Sequence, residues 1–256
     1  MKRPARWPYG LAMLVAAISL WQALSWTGMV APARLPSPIR VAEAFWELWR
    51  QGLPPGYSLA GHLAGSLARI GWGFILAAPI AIILGFTMGY FPVIRALANP
   101  IIEILRPIPP LAWVPLSILW FGIGNPSAVF IIGLGAFFPV LLNTVAGVEA
   151  SDPRLADAAY TMGASKWQVM VKVIFPQALP SLFTGLRVGL DIAWMTLVAA
   201  EYTGIKSGYG LGYMIMLARD LQRPDAIVAG MLVIGAIGYL MDWAANLLIT
   251  YCLRWK

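Results

Sequence analysis

The chain has 256 residues, 60% of them hydrophobic and only 11% charged, with 18 Lys and Arg against 11 Asp and Glu for a net charge of +7. So few charges cannot clothe a soluble body of this size, and much of the surface must face lipid. The cations are scattered with no run of three, which excludes a basic stripe for nucleic acid, and the lone Cys252 and lone His62 exclude a disulfide framework and a multi-histidine metal site. Cys252 reads as a small buried hydrophobe in the last apolar segment, and His62 as an interfacial or helix-end residue.

A hydrocarbon core of about 30 Å takes about 20 residues of helix. Apolar stretches of that order run over 9–26, 67–91, 98–122, 127–148, 182–203 and 226–250, so the chain reads as an all-α integral membrane protein of about six transmembrane helices. Lys2, Arg3 and Arg6 ahead of the first stretch and Ala31-Pro32-Ala33 behind it also fit a signal peptide. The run from Gly10 to Trp26 is longer than the roughly 7 to 15 apolar residues such a peptide uses, and proline inside the cleavage site is unfavourable, so a retained helix is expected. From Val41 to Arg50, Phe45, Trp46, Leu48 and Trp49 alternate with Glu43, Glu47 and Arg50, the pattern of a short external interfacial helix with tryptophans at headgroup level. This segment and the first helix make an N-terminal part over 1–60, and five helices make the core over 61–256.

The second stretch carries Gly85 and Gly89 and the fifth Gly185 and Gly189, small residues four apart that let helices approach closely. In the third, Glu103, Arg106, Pro107, Pro109, Pro110 and Pro115 interrupt the apolar run. Each proline deletes a backbone donor, so the first third of that stretch is kinked or lies along the interface. Lys and Arg favour the N-terminal side, nine against six, which predicts both termini in the cytoplasm. The glycine-rich tail from Tyr202 to Asp225 reads as a flexible external connection. No GxxxxGK[ST] occurs, so any ATP hydrolysis comes from another polypeptide.

The cytoplasmic connection between the fourth and fifth stretches, at about 150–180, is too long for a simple turn and has its own grammar. Asp152-Pro153 is an N-cap with proline at the first helical position, and Gly163 fits the left-handed position past that helix's end. Ser165 with Gln168 makes a capping box for a second helix, whose apolar face is Trp167, Met170, Val171 and Ile174 and whose end is marked by Pro176. The product is a helix-turn-helix at the membrane surface. Its exposed Ala158 and Ala159, beside Asp157, let another backbone come close, which suits a docking knob.

Asp157-Ala158-Ala159, Gly163 four positions on, and then Val173, Phe175 and Pro176 resemble the "EAA" loop of ABC importer permeases: Glu-Ala-Ala, three residues, Gly, nine residues, Ile, one residue, Leu-Pro. All spacings agree; Asp, Val and Phe replace Glu, Ile and Leu. Leu105 to Trp113, Trp120 to Gly124, Gly135 to Pro139 and Val198 to Glu201 also look like the permeases for sulfonates, taurine, nitrate and bicarbonate, of the type I importer fold. The resemblance covers about Ser66 to the C-terminus. It implies a permease in a bacterial or archaeal cytoplasmic membrane, a homodimer or a heterodimer with a paralogue, embedded in lipid. An external substrate-binding protein would feed it, and two ABC ATPase subunits, which bind the ATP and Mg, would drive it. No cofactor, nucleic acid or enzymatic activity is implied for this chain itself. Asp157, Ala158, Ala159, Gly163, Ala164, Ser165 and Pro176 would form the coupling site.

Charges in apolar stretches are costly and usually pair or line a pathway. Glu103 and Arg106, three apart, suit a same-helix ion pair. Asp191 either pairs with Arg187 or faces the translocation path. For an anion importer, Asp191 and Glu201 are expected to be neutralised by partners and to gate, and Arg106 is the candidate anion contact. A secondary transporter or channel without an ATPase is the rival class; it lacks paired inverted repeats and leaves the hairpin without a role. A membrane-embedded enzyme lacks a catalytic cluster.

Overall fold

The computed structural model describes residues 7–27, 35–202 and 209–254, and every regular element among them is helical. Lys2, Arg3, Arg6, Ala31-Pro32-Ala33, Arg34, Lys206-Ser207-Gly208 and Lys256 lie outside the described residues, and with them much of the charge asymmetry. The helices in chain order are α1 (Trp7–Trp26), α2 (Pro38–Arg50), α3 (Leu59–Tyr90), α4 (Pro92–Leu105), α5 (Val114–Phe121), α6 (Asn125–Glu149), α7 (Pro153–Thr161), α8 (Lys166–Val169), α9 (Phe175–Tyr202), α10 (Leu211–Asp220) and α11 (Pro224–Cys252). A 3₁₀ turn, Pro110–Trp113, precedes α5, and a π-helical turn, Met170–Ile174, joins α8 to α9.

Among the described residues α3, α6, the continuous helix Lys166–Tyr202 and α11 are long and apolar enough to cross a bilayer. The third stretch is not one straight span: Pro92–Leu105 and Pro110–Phe121 meet at 85°. The sequence predicted a kink there, and Pro107, Pro109 and Pro110 supply it by removing three backbone donors within four residues. The first stretch is the 20-residue α1, whose apolar part is Ala12–Trp26.

The chain divides into two compact units. The first takes the described residues of Met1–Ala64 and Tyr209–Ala236. Here Trp21 Nε1 donates to the Pro36 carbonyl at 3.0 Å, and α2 starts on a Ser37 cap that accepts from Arg40 N at 3.3 Å. Val41, Ala44 and Leu48 turn inward while Phe45, Trp46 and Trp49 stay exposed, so of the four apolar residues singled out in the sequence Leu48 alone packs inward. Arg50 stacks over the Trp46 ring at 4.5 Å. Arg223 forks onto Glu47 with two 2.7 Å bonds and reaches Asp225 at 2.9 Å. The stretch from Leu211 to Asp220 is a helix rather than a flexible connection, because Leu211, Met214, Ile215 and Ala218 share one buried face.

His62 does sit at a helix end, in the first turn of α3, but fully buried rather than at an interface. The Gly210 amide donates to Nδ1 at 3.0 Å, and Nε2 lies 3.0 Å from the Leu53 carbonyl. A backbone N–H can only donate, so Nδ1 accepts and Nε2 carries the proton of a neutral ring. The imidazole thereby clamps the entry of α10 to the turn before α3.

The second unit takes the described residues of Gly65–Gly208 and Ile237–Lys256, with α6 at its centre. Ile131, Ile132, Ala136, Val140 and Leu141 of α6 are fully buried. Both predicted small-residue faces meet this helix. A Cβ on Gly85 would lie 2.7 Å from Leu141 O, and one on Gly89 2.7 Å from Val148 Cβ. A Cβ on Gly185 would lie 2.6 Å from Asn143 Cβ, and one on Gly189 2.9 Å from Val140 Cγ2. Neighbouring helices therefore approach α6 from two sides at distances that exclude side chains. Ser117 and Ser127, both buried, share a 2.6 Å hydrogen bond that ties α5 to α6. Cys252 is exposed, contrary to its expected burial: with Leu248 and Tyr251 it belongs to an outward apolar face of α11 suited to lipid.

Candidate functional site

The hairpin between α6 and α9 is built by local bonds. Asp152 caps α7 by accepting from Arg154 N at 2.9 Å, with Pro153 at the first helical position. At the other end Ala164 N donates to Ala159 O at 3.0 Å and Gly163 N to Tyr160 O at 2.9 Å, the paired bonds of a Schellman motif. Gly163 has φ +83° and open space around its Cβ position, so the conformation, not crowding, requires glycine. Ser165 Oγ accepts from Gln168 N at 3.3 Å while Ser165 N donates to Gln168 Oε1 at 2.8 Å, completing the predicted capping box.

The structure departs from the sequence expectation at Pro176. The second helix does not end there: Phe175 N bonds Met170 O across a π turn, and the chain runs on into α9. The wider turn absorbs one extra residue where a proline ring would otherwise crowd the preceding carbonyl. Gln177 anchors the junction, its Nε2 donating to Val173 O at 3.1 Å and its Oε1 accepting from Asp152 N at 2.9 Å. No residue of α7 is buried. Leu155, Asp157, Ala158 and Met162 are exposed, Met162 to 87%, and Ala159 and Ala164 are half-buried. An exposed, largely uncharged helix with small residues beside one acid leaves room for another backbone to come close.

The intramembrane charges separate into distinct groups. Glu201, with no exposed surface, accepts from Arg69 Nη1 at 2.7 Å and Ser66 Oγ at 2.8 Å, while Arg69 Nε donates to Asn125 Oδ1 at 2.8 Å. The expected neutralisation of Glu201 is thus met by a residue 132 positions away on α3. Arg187 does not bond Asp191; it forks onto Asp242 of α11 at 2.6 and 3.1 Å, and Asn246 donates to the same carboxylate at 3.2 Å. The fork wins because Asp242 can accept two parallel N–H bonds across helices. Asp191 is half-buried and forms no hydrogen bond or ion pair among the described residues. Arg95 and Glu149 also pair, a bond between α4 and α6 that sequence spacing did not reveal.

Glu103 and Arg106 are exposed and form no ion pair with each other among the described residues, so the same-helix pair is not made. Arg106, at the end of α4, instead lines a cleft of about 400 Å³ with Ile108, Pro139 and Asn143, closed on the α9 side by Val188 and Ile192. The cleft holds one guanidinium and one carboxamide in otherwise apolar walls, a chemistry that suits a small oxyanion. Asn143 was not singled out from the sequence; its Nδ2 donates to Pro139 O at 2.8 Å, which fixes its carboxamide.

The model of the family described as binding-protein-dependent transport system inner membrane component matches residues 77–252. A Methanocaldococcus jannaschii protein named as an ABC transporter permease is 49% identical over 192 residues, 75% of this chain and 72% of its own length. The taurine transport system permease protein of Escherichia coli K12 is 38% identical over 246 residues, 93% of this chain and 88% of its own. Other relatives are named for aliphatic sulfonates and for bicarbonate. Among solved structures, a chain of the MetNI methionine ABC transporter in inward-facing conformations aligns with a TM-score of 0.55 at 21% identity, covering 87% of this chain and 99% of that one, a likeness of fold.

Proposed function

Because the chain belongs to the family of binding-protein-dependent transport system inner membrane components, and is therefore a transport component rather than an enzyme, we propose that it is the permease of an ATP-driven importer of a small anion. A sulfonate such as taurine is the first choice of cargo, supported by the near full-length relative named for taurine, with nitrate or bicarbonate next. Two copies, or this chain and a paralogue, line the path. Two ATPase subunits bind ATP and Mg and grip the hairpin from the cytoplasm, and both termini lie on that side. A binding protein delivers cargo from outside.

The observation that carries this reading is the capped, exposed hairpin joined without a break to the span α9. When nucleotide closes the ATPase dimer, force on Asp157, Ala158 and Ala159 passes through Gly163, Ala164 and Ser165 into α9, since the helix Lys166–Tyr202 is continuous past Pro176. The differential interaction that any conformational change requires is supplied by nucleotide in the partner. Arg106 meets the anion, Glu103 lies on the same candidate path, and Asp191 and Glu201 gate rather than bind, Glu201 with its charge already offset by Arg69. Reconstitution with the ATPase and binding protein tests it. Asp157→Lys and Ala158→Trp should leave membrane insertion and thermal stability of the permease intact while abolishing ATPase copurification and ATP-dependent uptake. Full coupling in both variants, or uptake by the permease alone without nucleotide, would overturn it.

A further inference from the structure

A cleft of about 660 Å³ opens at the root of the hairpin. Its walls are hydrocarbon: Ile82, Ile83 and Phe86 of α3 face Met170, Val171 and Phe175 from the π turn and the start of α9. The Phe86 and Phe175 rings meet at 5.7 Å. The Thr87 hydroxyl is already engaged, its Oγ1 donating to Leu84 O at 2.9 Å. One end of the lining is different. Lys166, the sole cation among the lining residues, sits there next to Trp167, an exposed residue, and Tyr90, the last residue of α3, completes the aromatic pair.

We propose that this cleft binds an anionic phospholipid, with an acyl chain along the α3 wall and the phosphate at Lys166. Two features on the same cleft support that occupant. Its apolar part belongs to helices that qualify as membrane spans, where a water-filled hydrocarbon trough is unfavourable and an acyl chain is the available filler. Its polar end combines tryptophan, tyrosine and lysine where α3 ends, the residue set that marks headgroup level. Charge decides between lipids: a zwitterionic headgroup brings its own ammonium to Lys166 and gains less than a phosphodiester of net negative charge. A lipid seated here touches both α3 and the π turn, so it braces the hairpin root against the span. The proposal does not depend on the cargo.

The full-length chain in nanodiscs, carrying trace phosphatidylglycerol or phosphatidylcholine with a photoreactive acyl chain, provides the test. Peptides covering 82–91 and 166–175 should be labelled, phosphatidylglycerol on the order of fivefold above phosphatidylcholine, the preference one cation confers near an anionic surface. Lys166→Glu should erase the preference, Lys166→Arg should keep it, and Phe86→Trp should reduce labelling by both lipids. Equal labelling by the two lipids, labelling elsewhere only, or crosslinks between two copies across the cleft would overturn the assignment. The wild-type comparison decides alone if a variant does not insert.

Discussion

The buried pair Arg69–Glu201 offers the sharpest energetic test. Both side chains are almost wholly withdrawn from solvent, at 5% and 0% exposure, and their contact is 2.7 Å. Glu201→Leu removes the countercharge of the guanidinium while its bond to Asn125 stays; Arg69→Met removes that of the carboxylate while its bond to Ser66 stays. Breaking a buried pair from one side costs about 3–5 kcal/mol, because an uncompensated charge remains, whereas replacing both members by apolar residues of similar volume is often close to neutral. The double variant Arg69→Met, Glu201→Leu should therefore be more stable than either single variant, with a coupling of at least about 3 kcal/mol. Equilibrium unfolding of the four proteins in one detergent closes the double-mutant cycle. Additive losses within about 0.5 kcal/mol would show that the two residues contribute separately, and the assigned role of the pair would be wrong.

Gly163→Asn, which tolerates a left-handed backbone, should retain coupling, while Gly163→Val at φ +83° should cost about 1–3 kcal/mol in the hairpin and uncouple ATP hydrolysis from uptake; equal activity of the two would refute the turn assignment. Gly85→Val would drive methyl groups into Leu141 O and Thr144, a loss of about 1–3 kcal/mol read as a lower unfolding midpoint, whereas Gly71→Val, with open space at its Cβ position, should change little. Arg106→Gln should lower anion uptake at unchanged ATPase assembly, measured with labelled taurine in proteoliposomes. The Glu47 carboxyl is held below its usual value of 4.5 chiefly by hydrogen bonds from Arg223, against a smaller opposing effect of burial. A carboxyl depressed in the folded state adds stability above its unfolded pKa and loses it as pH falls through the folded one. The unfolding midpoint should thus drop on acidification below about 4.5, and Glu47→Gln should shrink that drop; because Glu47 is partly exposed, salt should shrink it too.

What could be read from the residues was what local physics writes. Of the six stretches that hydropathy marked, four are helices long enough to cross a bilayer and the third is a bent pair, among the described residues, and both caps of the hairpin formed between residues within five positions of each other. The glycine pairs announced close packing, and α6 proved to be the common neighbour of both. Long-range choices left no such mark. Arg187 had a plausible acid four residues away and took one 55 residues away, because helix geometry offered Asp242 a two-bond fork. His62 meets Gly210 across 148 positions. The helix from Leu211 to Asp220 was masked by the glycines before it, and Pro176 looked like a terminator because nothing in the sequence states that a π turn will absorb it.

That π turn sets a phase. In an α-helix one residue is worth about 100° of rotation and 1.5 Å of rise, and Met170–Ile174 holds one residue more than an α-helical turn would. Deleting Val171 would turn the Phe175 N to Met170 O bond into an ordinary α-helical one and leave Trp167, Ser165 and α7 at nearly the same azimuth, whereas deleting one residue from the regular part of α9 would swing them by about 100° around its axis. The azimuth of the docking surface, and so the direction in which a pull is delivered to the span, is kept by the wide turn, which takes up the extra residue without passing it on as rotation.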